Sequence, residues 1–195
     1  MDVMKNDAEL VRSLQNGNRQ ALGCLYDRHK QRVYQTALTI TGDTEAAADL
    51  LHDVFLRLYR YARTVDPTRP IEPWLYRVTA NLCYTWLKGR RRWLRPLDDI
   101  ANWLTNDEDG SAGQEKMVDE EWQQLQKALW ALPVAQRMVV VLYYLNDLSI
   151  EEIASTLHTP VGTIKSRLHY GREALKKQMM AAQGESLAGL GYEFT

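Results

Sequence analysis

The sequence is short of the residues that staple or punctuate a chain. Two cysteines, six prolines and eleven glycines occur in 195 residues. Two cysteines cannot build the disulfide framework of a small secreted scaffold. Cys24 and Cys83 lie in apolar helical patterns without metal-ligand spacing, so both are read as buried thiols. Scarce proline and glycine, with helix formers plentiful, predict a mostly helical protein. No run of 18 apolar residues occurs, so no direct membrane insertion is expected. The stretch Met1 to Leu10 is acidic and poor in apolar residues, unlike a secretory signal, and the cytoplasm is the expected compartment. A large excess of charge of either sign is also missing: the formal net charge is −1. A nucleic-acid partner would therefore have to be met by a local basic surface. Nor is there a hydrolytic triad, a phosphate-cradling glycine loop or a metal cluster. His29, His52, His158 and His169 are scattered, and neither an enzyme activity nor a cofactor is expected.

What is present falls into zones. Residues 7–95 carry amphipathic helical patterns. Leu10, Leu14, Leu22, Leu25 and Tyr26 form one or two helices with an interruption at Gly17-Asn18. Val33, Ala37, Leu38 and Ile40 continue the pattern up to a turn at Thr41-Gly42-Asp43. Thr44 is the expected cap of the next helix. There Ala47, Leu50, Leu51, Val54, Phe55, Leu58 and Tyr59 recur three and four apart. Pro67, Pro70 and Pro73 make 64–73 a loop stiffened by fixed backbone angles, and Trp74 is expected to open another helix running through Trp86 and Leu87. Residues 96–120 read as a flexible acidic linker: from Asp98 to Glu121 there are nine acidic residues and one basic, Lys116. Trp103 and Leu104 are apolar islands within it. Residues 121–180 form a second helical zone, with Trp122, Leu125, Leu129 and Leu132, a break at Leu132-Pro133, and the run Met138 to Leu145. That run is strand-like by propensity, but its helical neighbours argue for a buried helix. Residues 181–195 are expected to be a frayed tail. The predicted fold class is all-α: two small helical domains joined by a linker.

The most informative stretch is Leu148 to Lys177. Ser149 caps a short helix and Glu152 completes a capping box. Ile150, Ile153, Ala154 and Leu157 form its inward face. His158-Thr159-Pro160 make a turn, and Val161, Ile164 and Leu168 begin the inward face of a second helix. This is a helix-turn-helix, which places its second helix in a DNA major groove. From His158 to Met180 there are five basic residues and one acidic. Lys165, Ser166 and His169 share the outer face, where Lys can reach guanine edges; Arg172, Lys176 and Lys177 suit phosphates. The bland alternative is a solvated face of an unrelated bundle.

A second basic cluster, Lys88, Arg90, Arg91, Arg92 and Arg95, follows the helix bearing Trp74, Tyr76, Tyr84 and Trp86. Those four rings cannot all be core, because their spacing goes around the helix. Exposed rings beside basic residues suit single-stranded DNA, with bases stacked and the backbone held by charge. The alternative is a core tryptophan plus a basic run complementing the helix dipole. The stiff loop beside that surface could hold a flipped base.

ALTITGDTEAAADLLHDVFLRLYR, WLYRVTANLCYTWLKGRRR and the stretch from Leu132 to Lys177 together resemble the sigma-70 family, specifically its extracytoplasmic-function (ECF) group, over about Leu10 to Lys177. The helix-turn-helix half alone also resembles response-regulator output domains, which lack the first half. The resemblance implies a transcription initiation factor that takes bacterial RNA polymerase core to specific promoters. The first domain would bind the clamp helices of polymerase through Asp49, Leu50, Asp53, Val54, Leu56 and Arg57. It would read the −10 element as a melted strand through Asp66, Arg69, Trp74, Arg77, Asn81, Lys88, Arg90 and Arg91. The second would bind the polymerase flap and read the −35 element as duplex through Thr163, Lys165, Ser166, Arg167, His169, Tyr170, Arg172 and Lys176. An anti-sigma factor, commonly membrane-bound in this group, is a further expected partner. Thr85 and Lys88 stand where the family commonly has Asp and Arg, and His169 and Tyr170 where arginines are common. The competing readings are a free-standing DNA-binding regulator and a protein-only adaptor.

Overall fold

A computed structural model describes the backbone of residues 6–93 and 116–189, and the side chains of 6–89 and 122–181. Eight helices are seen among the described residues: α1 (Asp7–Gln15), α2 (Arg19–Thr41), α3 (Thr44–Tyr61), α4 (Glu72–Trp93), α5 (Lys116–Ala131), α6 (Val134–Tyr144), α7 (Ile150–Leu157) and α8 (Val161–Gly189).

Local chemistry sets most of the boundaries. Asn6 and Glu9 form a capping box at the start of α1. The chain reverses at Gly17, whose φ of 89° is the left-handed region open to glycine. Asn18 then caps α2 by accepting from the Gln20 amide. Gly42, at φ 72°, closes α2 by donating to the Leu38 carbonyl. The cap of α3 is Asp43, which accepts from the Ala46 amide at 2.9 Å. Thr44 is the first helical residue instead, because the hydroxyl of Thr41 holds the Asp43 amide and sets the turn one residue earlier. After α3 a 3-10 turn (Ala62–Thr64) leads into a loop shorter than expected. α4 starts at Glu72, so Pro73 lies in its first turn, where a missing N–H costs no helical bond.

Helices α1 to α4 share one core, with Leu25, Val33, Ile40, Val54, Leu58 and Leu75 shielded from solvent. The aromatics of α4 divide as their spacing requires: Tyr76 is buried, Trp74 and Trp86 are half-buried against the core, and Tyr84 is exposed. Cys83 is buried as expected. Cys24, expected to be buried, is exposed on α2, at the edge of the face that buries Ala21 and Leu25.

Helices α5 to α8 form the second unit around Leu142, Ile153, Ile164 and Val139. The β-branched run Val139-Val140-Val141 is helical and wholly buried, since tertiary burial outweighs its modest strand preference. Helix α5 begins at Lys116, inside the stretch expected as linker. Residues 94–115, with Trp103 and Leu104, lie outside the described residues. Helix α8 continues to Gly189, past the expected fraying point, because Ala181-Ala182-Gln183 and Glu185 to Ala188 are mostly good helix formers. No helix among the described residues is long and apolar enough to cross a membrane.

The two units pack on each other: α5 and α6 lie against α2, and α7 lies against α4. The Asn146 side-chain amide donates to the Thr36 hydroxyl at 2.8 Å across this junction, fully buried.

Candidate nucleic-acid interface

The helix-turn-helix is built as its sequence demands except at Val161, which was expected to face inward and is 37% exposed in the first turn of α8. Ser149 accepts from the Glu152 amide at 3.2 Å while the Glu152 carboxylate accepts from the Ser149 amide at 2.8 Å. His158 ends α7 in the left-handed conformation, φ 48° and ψ 46°, donating to the Ala154 carbonyl. Pro160 then opens α8, with its carbonyl accepting from the Thr163 and Ile164 amides. Ile164, Leu168 and Gly171 face inward. A Cβ on Gly171 would sit 2.8 Å from Val140 Cγ2, so α8 crosses α6 at a distance that only glycine permits.

With that stripe buried, Lys165, Ser166, His169, Tyr170, Arg172 and Lys176 are exposed together, and Thr163 and Arg167 are half-buried at the edge. The rings of His169 and Tyr170 meet edge to face, 5.3 Å between centroids. The Ser166 hydroxyl donates to the Gly162 carbonyl at 3.0 Å, which leaves its lone pairs facing outward.

On the first unit, Gln15 pins the entry to the loop by donating to the carbonyls of Ala62 and Val65 at 3.0 and 2.8 Å. Inside the loop Asp66 accepts from both the amide and the hydroxyl of Thr68, at 2.9 and 2.7 Å, and Arg69 lies 3.5 Å from its other oxygen. The Thr68 hydroxyl bond is the chief reason that the Asp66 carboxyl is held below its ordinary pKa, with the Thr68 amide and Arg69 adding to it. Asp66 thus shapes the loop and Arg69 is drawn toward it. Arg77, Tyr84, Thr85 and Lys88 are exposed along α4, and Asn81 is half-buried. The side chains of Arg90 and Arg91 lie outside the described residues.

On α3 the expected polymerase-binding residues split. Asp49, Asp53, Leu56 and Arg57 are exposed. Leu50 and Val54 are core residues, 5% and 0% exposed, because they share the i, i+4 stripe with Leu58. Their side chains pack α3 onto its neighbours and are shielded from solvent. Tyr59, expected on the apolar stripe, and Tyr61 were assigned to no site by sequence reasoning and are both exposed; Tyr59 lies one turn on from Leu56 on the same side of α3. Three large apolar side chains left in water within six residues were the available signal.

Asn81 and Tyr84 of α4 face Ala135, Met138, Leu157, Thr159 and Arg167 across a crevice of about 230 Å³. The junction also buries Arg137, whose guanidinium is pushed down to about 10 by desolvation, opposite Cys83, whose thiol burial pushes up to about 12.

An all-helical pair of units, one presenting an aromatic and basic helix and the other a helix-turn-helix, defines a promoter-recognition type of protein. The comparisons agree. Residues 25–93 match the model of sigma-70 region 2, and residues 122–175 that of sigma-70 region 4. The Escherichia coli ECF RNA polymerase sigma-E factor is 30% identical over 190 residues, covering 92% of this chain and 97% of that protein. The Bacillus subtilis ECF sigma factor SigW is 29% identical over 176 residues, covering 87% and 94%. In fold, the chain is similar to CnrH in its complex with the cytosolic domain of CnrY (TM-score 0.64, 22% identity, 90% and 97% covered). It is similarly close to the Bartonella quintana sigma factor RpoE in complex with the anti-sigma factor NepR (TM-score 0.64, 21% identity, 80% and 94% covered). The chain belongs to the ECF group of RNA polymerase sigma factors. As such it is not an enzyme: it directs core polymerase to specific promoters for transcription initiation.

Proposed function

We propose that the work is divided among three faces of the molecule. The exposed stripe of α3, with Asp49, Asp53, Leu56 and Arg57 and the added rings of Tyr59 and Tyr61, engages the clamp helices of polymerase. An apolar patch rimmed by both signs of charge suits a protein partner better than DNA.

The 65–71 loop and the outer side of α4 take the −10 element as an opened strand. Arg69, Arg77, Asn81, Lys88, Arg90 and Arg91 supply charge and hydrogen bonds, and Trp74 and Tyr84 supply rings on which an unpaired base can stack. Asp66 keeps the loop in shape through Thr68. Binding that exists only with the unstacked strand shifts the melting equilibrium toward the open form.

The outer face of α8 takes the −35 element as duplex. Lys165 and Arg167 donate to base edges. Ser166, its proton already committed to Gly162, is left to accept from an adenine or cytosine amine. Arg172 and Lys176 hold phosphates, with Thr163, His169 and Tyr170 completing the surface. The observation that carries the reading is this face: a buried Ile164–Leu168–Gly171 stripe forces the polar and basic residues outward in one band.

The acidic segment 96–120 connects the two domains, residues 7–95 and 121–180, and the second also meets the polymerase flap. The cytoplasm, where polymerase works, is the compartment. An anti-sigma factor is the expected negative regulator; the structural relatives named above were solved with such partners or a cytosolic domain bound. The test is transcription in vitro from pooled genomic DNA with core polymerase, with and without the protein, sequencing transcript 5′ ends. Start sites sharing −35 and −10 elements and appearing only with the protein are the expected result. A dimer footprint on a palindrome without polymerase would move the chain to the free-standing regulators.

A further inference from the structure

Three side chains of the first unit have no part in its DNA or polymerase faces, yet converge on one point. The buried stripe of α2 runs Leu25, His29, Val33, Ala37 and Ile40, so an imidazole occupies a core position among aliphatic neighbours. His29 is 7% exposed. Its Nε2 lies 2.7 Å from Oδ2 of Asp7, the first residue of α1. Glu72, the first residue of α4, completes the group. One ligand atom from each of the three side chains lies within 4.8 Å of the other two.

Ordinary packing explains part of this. The Asp7–His29 hydrogen bond satisfies a buried ring nitrogen, and acids in the first turns of α1 and α4 suit the helix dipoles. Glu72 is left over. It is half-buried beside the pair, and among the described residues it makes no hydrogen bond or ion pair. A protonated His29 would strengthen its bond to Asp7 and still leave Glu72 without one. Arg28 is bound to the other oxygen of Asp7, Oδ1, and so leaves Oδ2 directed at His29.

We propose that Asp7, His29 and Glu72 form a binding site for a divalent transition-metal ion of the zinc class, clipping the starts of α1 and α4 to the middle of α2. One neutral imidazole and two carboxylates are a donor set that such ions accept, and the two negative charges balance the ion's own. Tetrahedral bonds of about 2.0–2.2 Å put ligand atoms about 3.3–3.6 Å apart, so the Asp7–His29 pair opens and the wider separations close by about 1 Å as side chains turn. Arg28 fixes the Asp7 carboxylate from behind, and water takes the fourth position. Helix α1 also carries Gln15, which holds the carbonyls of Ala62 and Val65, so the clip steadies the helix that pins the 65–71 loop. The ligands come from three helices far apart in the chain, which is why no local spacing announces them.

The test uses the full chain, freed of metal with a chelator, in a Cys24→Ser background that removes the exposed thiol as a rival ligand. It is titrated with Zn²⁺ alone by calorimetry and with Co²⁺ alone by visible absorption. One ion per chain is expected, with the absorption bands of tetrahedral Co²⁺ and no sulfur charge-transfer band. Glu72→Gln and Asp7→Asn keep side-chain shape and should each weaken binding at least about tenfold. Glu45→Gln, at an exposed acid in the first turn of α3, should leave it unchanged. At Zn²⁺ a hundred times the Kd, the folded-to-unfolded ratio in urea should rise about a hundredfold, and at most about a tenth of that in Glu72→Gln. Circular dichroism of the metal-free variants separates loss of the site from loss of the fold. No binding at submillimolar Zn²⁺, or an affinity unchanged by Glu72→Gln and Asp7→Asn, would overturn the site and leave His29 as a core imidazole paired with Asp7.

Discussion

Gly171 offers the sharpest test of how the recognition helix is seated. Replacing it by alanine in an exposed helix would stabilise by about 1 kcal/mol through backbone entropy. Here the added Cβ would lie 2.8 Å from Val140 Cγ2 and 3.6 Å from Gln136 Cβ. Val140 is 4% exposed and β-branched, so it cannot swing aside without leaving its one good helical rotamer. Overpacking of this kind costs about 1–3 kcal/mol, which outweighs the propensity gain. Gly171→Ala should therefore be destabilising by about 1 kcal/mol net, lowering Tm by roughly 4–8 °C for a unit of this size. Val140→Ala alone leaves a void and costs about 2 kcal/mol. The double variant should be less damaged than the sum of the two by about 1 kcal/mol, because each change removes the other's problem. Urea unfolding followed by tryptophan fluorescence and far-ultraviolet circular dichroism reads all four proteins. Stabilisation by Gly171→Ala, or strict additivity with Val140→Ala, would refute the close crossing of α6 and α8.

Other expected outcomes follow from the same geometry. Ser149→Ala removes one half of the capping box and should cost about 1 kcal/mol in thermal unfolding, with Ser149→Asp recovering most of it. Leu56→Asp should weaken core polymerase binding severalfold in a co-elution or fluorescence titration while leaving Tm unchanged, since Leu56 is 52% exposed. Lys165→Ala should cost about 1–3 kcal/mol on the preferred −35 sequence and relax the preference at one position, whereas Lys176→Ala should weaken all sequences alike and lower the salt dependence, both measured with holoenzyme on duplex DNA. Alkaline pH adds a fourth. The Cys83 pKa is raised to about 12 in the folded chain, so its contribution is intact below the unfolded thiol's pKa near 9 and is lost as pH rises above it. Arg137, lowered to about 10, acts in the opposite sense only above that value. Between pH 8 and 10 the fall in Tm should be smaller for Cys83→Ala than for the wild type.

Much of this protein is legible one helix at a time. The Ser149–Glu152 box, the Gly17 and Gly42 turns and the three-and-four spacing of α3 are contacts between near neighbours, so residue order alone determines them. The band of exposed groups on α8 follows for the same reason: once Ile164 and Leu168 must face inward, Lys165, Ser166 and His169 cannot. Resemblance to a known helix says less than periodicity about which of its residues are accessible. Leu50 lies on the apolar stripe of α3 and Leu56 off it, so the spacing already separates the buried leucine from the exposed one although both fall in the stretch that resembles a polymerase-binding helix. Thr44 is the expected cap of α3, but Asp43 takes that place, with its own amide held by the Thr41 hydroxyl. The docking of the two units was beyond reach of the sequence altogether. Thr36 and Asn146 are 110 residues apart, neither belongs to a motif, and a buried polar pair leaves no periodic trace. Such a contact exists only where two separately folded surfaces happen to match in shape and hydrogen-bonding groups, and that is settled by tertiary structure.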